Sequence, residues 1–69
     1  MKISARNKLK GKIIEIKEGA VNAIVSIDIG GGNKISATIS MDAVSELGLK
    51  IGMDAYAIIK ATSVMVGTD

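Results

Sequence analysis

Sixty-nine residues with no cysteine and no histidine exclude a disulfide scaffold, a zinc-stabilised fold and the usual thiol and imidazole chemistries of catalysis. A chain of this size hides only about 60% of its unfolded surface, so its own core is thin; a 48% hydrophobic composition then points to apolar surface closed against further copies of itself. The net charge of +2 conceals an asymmetry: residues 1–12 hold Lys2, Arg6, Lys8, Lys10 and Lys12 and no acid, whereas residues 13–69 hold four bases against seven acids.

In chain order, residues 2–9 read as a first strand and residues 11–19, between two glycines, as a second. The opening MKISARNKLKGK lacks the unbroken apolar segment of a signal peptide, and no run approaches the roughly 20 apolar residues of a membrane span. A cytoplasmic location is expected, in keeping with the absence of cysteine. In AVNAIVSIDI, Val21, Ala23, Val25, Ile27 and Ile29 alternate with Asn22, Ile24, Ser26 and Asp28, the period of a half-buried strand. Gly30, Gly31, Gly32 and Asn33 supply the positive φ values of a tight reversal. KISATIS then alternates again, with Ile35, Ala37 and Ile39 inward, which completes a hairpin.

The period changes at SMDAVSELG. Ser40 is placed to cap a helix, Asp42 lies in the first turn where the dipole favours an anion, Met41, Val44 and Leu47 share a face, and Gly48 can end it. One short helix over 41–47 is expected. DAYAIIKA (54–61) reads as another strand and SVMVG as a last short one. The reading is therefore all-β: a small OB-like barrel of five to six strands with one short helix, forming a single domain over residues 1–69.

Catalytic groups are scarce. The acids are scattered as solvated surface charges, and with neither histidine nor cysteine no cation site of the transition-metal or calcium type is visible. Three consecutive glycines join two strands and open no helix, so they form no phosphate loop. Binding of single-stranded nucleic acid needs several stacking rings, and Tyr56 is the one aromatic residue present. A small tetrahedral anion suits the inventory better. SARN (4–7) and KATS (60–63) gather arginine, lysine, hydroxyl and amide donors. Alternate Lys8, Lys10 and Lys12 also solvate an exposed strand edge and raise the local potential.

With SARNKLKG near its start, GAVNAIVSIDI in the middle and LGLKIGMDAYAIIKATSVMV near its end, the sequence resembles the molbindin (Mop) family over Ile3 to Val66. That resemblance implies small cytoplasmic proteins that bind molybdate or tungstate, with no catalytic cofactor and neither nucleic acid nor membrane as partner. It further implies an OB-like fold and a homohexamer, a trimer of dimers with strands exchanged between subunits, serving molybdenum homeostasis. Oxyanions are then expected at subunit interfaces. Ser4 and Arg6 would meet Lys60, Ala61 and Thr62 of a neighbouring subunit in one class of site. Gly19, Ala20, Val21 and Asn22 would form a second class, largely through backbone N–H groups near a threefold axis.

Overall fold

A computed structural model describes residues 1–69. The elements run β1 (Asn7–Glu18), β2 (Asn22–Gly30), β3 (Asn33–Ser40), α1 (Met41–Leu47) and β4 (Asp54–Ile59), followed by one 3-10 turn at Ala61–Ser63. All four strands belong to a single curled antiparallel sheet in the order β3-β2-β1-β4, which leaves β3 and β4 as edges.

β1 organises the sheet by changing partners along its length. Its first half pairs with β4, from Asn7↔Ile59 to Lys12↔Asp54, and its second half with β2, from Lys12↔Asp28 to Glu18↔Ala23. The expected break between strands at 2–9 and 11–19 is absent, because Gly11 continues the strand. A Cβ at Gly11 would collide with the Asp28 carbonyl and lie 2.8 Å from Ile27 Cγ2. Glycine is thus what lets β1 pass close to β2 as it changes partner.

A bulge follows at once. The register shifts between Ile13↔Ile27 and Glu15↔Ser26, leaving Ile14 as the extra residue. Ile13, 1% exposed, is the most deeply buried large side chain, and beyond the bulge Ile16 takes the inward position.

The hairpin forms as read, with Val25 opposite Ala37 and Ile27 opposite Ile35. Positive φ occurs at Gly30, Gly31 and Gly32, and Asn33 already belongs to β3, contrary to the expectation that it shares the left-handed turn. The Asp28 carboxylate accepts the Gly30 N–H at 2.8 Å. Helix α1 begins and ends where its caps dictate. The Ser40 hydroxyl accepts the Ala43 N–H at 3.0 Å, and Gly48 is left-handed at φ 63°. Val44 is buried and Met41 half-buried, but Leu47 remains exposed.

Ile13, Ala23, Val25, Ile27, Val44 and Ala57 form the core, and these six are the only buried residues. The strand count is four, not five to six. Part of the difference is the continuity of β1; the rest lies at the C-terminus. There the Ser63 N–H returns to the Lys60 carbonyl at 2.9 Å, ending the extended chain two residues earlier than expected. Val64–Val66 then pairs with neither sheet edge, leaving Met65 and Val66 each 92% exposed.

Candidate functional site

The antiparallel pairing of β1 with β4 brings the two ends of the chain together. Because Asn7 opposes Ile59, the residues preceding β1 lie beside those following β4. Between them is a depression of about 520 Å³ lined by Ile3, Ser4, Ala5, Arg6, Ile58, Lys60, Ala61 and Thr62. Thus Ser4, Arg6, Lys60, Ala61 and Thr62 meet within one chain, where the resemblance led us to expect a neighbouring subunit to bring the second group.

The electrostatics are one-sided. Arg6 and Lys60 both border the depression and no carboxylate does. The single ion pair in the chain lies elsewhere, between Lys12 Nζ and Asp54 Oδ1 at 2.9 Å. It holds the Asp54 carboxyl below its ordinary range, through the Lys12 hydrogen bond first, then the Lys12 charge, with a smaller contribution from Lys10. The guanidinium of Arg6 and the ammonium of Lys60 are therefore free of internal counter-ions.

Neutral donors point the same way. The hydroxyls of Ser4 and Thr62 and the amides of Ala61 and Thr62 engage no acceptor in the chain. Two fixed positive charges, two hydroxyls and free backbone N–H groups around one concavity can hold an anion with several oxygens. Sequence reasoning did not single out Ile3, Ala5 and Ile58, the apolar walls. No periodicity in ISAR or IIKAT marks them, since alternation would send neighbouring apolar and polar residues to opposite faces.

Gly19, Ala20 and Val21 form the turn joining β1 to β2 and Asn22 opens β2, at the other end of β1 from this depression, which none of the four lines. The Gly19 N–H donates to the Asn22 carbonyl at 2.9 Å, and the Val21 carbonyl accepts from Met41 N–H at 2.8 Å. A Cβ on Gly19 would lie 2.7 Å from the same Asn22 oxygen, so the tight turn requires glycine there. The amides of Ala20 and Val21 have no acceptor within the chain, and the turn is fully exposed.

The chain is similar to several known proteins. A TOBE domain model matches residues 3–66. A probable molybdenum-pterin-binding protein of Haemophilus influenzae is 68% identical over 69 residues, the whole of both chains. Among solved structures, MopII from Clostridium pasteurianum superimposes with a TM-score of 0.91 at 51% identity, covering 97% of this chain and 100% of its own. A molybdate-binding protein from Sporomusa ovata gives a TM-score of 0.91 at 40% identity, covering 99% and 100%. With its family model spanning nearly every residue and its relatives matched over their full length, the chain belongs to the TOBE-domain family and, within it, to the molbindins, which are binding proteins and not enzymes.

Proposed function

We propose that this chain is a single molybdate- or tungstate-binding domain over residues 1–69, acting in the cytoplasm as a homohexamer that holds the oxyanion for molybdenum homeostasis. The observation that carries this reading is the depression where Arg6 and Lys60 stand without counter-ions among free hydroxyl and amide donors. Ser4, Arg6, Lys60, Ala61 and Thr62 form the first oxyanion site in this reading. The exposed turn of Gly19, Ala20, Val21 and Asn22 forms the second, offering the amides of Ala20 and Val21. Binding is reversible and involves no redox step or catalytic cofactor. Molybdate and tungstate carry the same charge on nearly the same tetrahedron, and both suit these donors.

Arg6 offers a planar fork and Lys60 a point charge, and the hydroxyls and amides fix the remaining oxygens. Hydrogen bonds to a charged group contribute about 1.5–3 kcal/mol each. The depression is open on one side, so donors from other subunits complete the enclosure.

Assembly is supported by the thin core. Only six residues are buried, two sheet edges are unpaired, and Val64, Met65 and Val66 are exposed at 49%, 92% and 92%. In a trimer of dimers this segment pairs with a neighbour's edge and brings the barrel to the five or more strands of an OB-like fold. Neither nucleic acid nor membrane is a partner in this reading. Isothermal titration of molybdate into the Arg6→Ala and Lys60→Ala variants tests it: weaker binding or fewer anions per chain is expected, on an oligomer that still assembles. Unaltered affinity and stoichiometry in both variants would remove these residues from the site.

A further inference from the structure

The turn between β1 and β2 is held in place by the start of the helix. Gly19, Ala20 and Val21 form this turn, and the amides of Ala20 and Val21 have no acceptor in the chain. Amides on an exposed turn hold an anion well only when their peptide planes are fixed beforehand, because ordering them on binding costs conformational entropy. Two hydrogen bonds bracket the pair. Before it, the Gly19 N–H donates to the Asn22 carbonyl at 2.9 Å; after it, the Val21 carbonyl accepts the Met41 N–H at 2.8 Å. The first bond closes the turn on itself. The second is the one bond that ties residues 19–21 to a part of the chain beyond the turn and its flanking strands.

The reach from helix to turn follows from register and capping. Asn22 and Ser40 are the last opposed pair of β2 and β3, so the residue before Asn22 meets the residue after Ser40. Met41 is the first residue of α1, and the N–H groups of a first helical turn have no intrahelical acceptor. The Ser40 hydroxyl takes the Ala43 N–H at 3.0 Å, which leaves the Met41 N–H to point out of the helix onto Val21.

Granted the second oxyanion site proposed for this turn, we infer that Met41 is its positioning residue. The Met41 backbone N–H, acting through the Val21 carbonyl, holds the Ala20 and Val21 amides in the orientation that the anion meets. Met41 itself touches no ligand.

Met41→Pro removes this donor. Proline suits a first helical position, and Ser40 at φ −71°, ψ 153° already has the extended backbone that a residue before proline prefers. The ring carbon takes the place of the donated hydrogen, so the Val21 carbonyl is released. Met41→Ala keeps the donor and gives up the same packing against the core.

Molybdate is titrated into the assembled, isotope-labelled protein and followed by NMR, with the Ala20 and Val21 amide resonances reporting this turn and those of Ala61 and Thr62 reporting the depression. In Met41→Pro the affinity read at Ala20 and Val21 should fall about tenfold while that read at Ala61 and Thr62 stays unchanged. Met41→Ala should keep both. By reciprocity, saturating molybdate should slow hydrogen exchange of the Met41 N–H in the unaltered protein by about the same tenfold factor. The Gly30 N–H, bonded to Asp28 at the other end of the hairpin, should keep its rate. The exchange measurement needs no variant, so it decides even where Met41→Pro does not assemble.

Full affinity at Ala20 and Val21 in Met41→Pro, equal losses at both sites, or an equal loss in Met41→Ala would overturn the inference. So would exchange at Met41 that molybdate leaves unchanged. Ala20 and Val21 resonances that ignore molybdate in the unaltered protein would instead refute the second oxyanion site, and the positioning role with it.

Discussion

Gly11→Ala tests whether the change of partner along β1 depends on the missing side chain. The added Cβ would collide with the Asp28 carbonyl and come within 2.8 Å of Ile27 Cγ2. The obstruction is mainly backbone of the neighbouring strand, which has no rotamer to change. Relief therefore requires β1 and β2 to separate at the residue where β1 turns towards β4. Overpacking of this kind costs about 1–3 kcal/mol. The opposing effect is small and of opposite sign: replacing glycine by alanine without strain stabilises by about 0.4–1 kcal/mol through the unfolded chain.

The sign of the change therefore decides. With a denaturant slope of about 1 kcal/mol per molar for so small a chain, the net effect should lower the urea midpoint by up to about 2.5 M at fixed protein concentration, read by far-UV circular dichroism. Gly67→Ala serves as the control, since a Cβ there meets nothing and φ is not in the left-handed region; its midpoint should stay put. A midpoint in Gly11→Ala equal to or above that of the unaltered protein would refute the argument for close strand passage.

Two further perturbations probe local devices. Ser40→Ala removes the hydroxyl that accepts the Ala43 N–H, and thermal melts should show a loss of about 1 kcal/mol, whereas Ser45→Ala, on an exposed helical position, should show little. Because Lys12 depresses the Asp54 carboxyl in the folded protein, the pair's stabilisation is present above the ordinary carboxylate range and fades as pH falls through the lowered folded value. Asp54→Asn should therefore melt below the unaltered protein at neutral pH, by a margin that shrinks with added salt and vanishes in strong acid. A margin that persists in acid would assign the effect to something other than the ion pair.

The parts of the fold legible in the sequence are those specified locally. The hairpin follows from alternation on either side of three glycines, and α1 follows from Ser40 and Gly48, which act on their own first and last turns. What escaped depends on a partner strand. Gly11 resembles a terminator until Asp28 is known to lie against it. The irregular spacing of Ile13, Ile14 and Ile16 was a sign of the bulge that lets one strand serve two neighbours. Val64–Val66 has strand composition, yet after the 3-10 turn at Ala61–Ser63 it joins neither free edge of its own sheet.

The candidate site divides in the same way. SARN and KATS were recognisable by their donor types and by their resemblance to a family. Their meeting within one chain follows from the antiparallel register Asn7↔Ile59 between β1 and β4, which neither segment specifies by itself. The apolar wall Ile58 likewise acquires meaning only from the face on which β4 places it, beside the segment that precedes β1.

Native mass spectrometry across a molybdate titration tests the central claim most directly, because it reports subunit number and bound anions in one spectrum. The account predicts a hexamer that gains discrete molybdate masses, with fewer of them when Arg6 is replaced by alanine. A monomer at every molybdate concentration, or a hexamer that never gains an oxyanion mass, would contradict it.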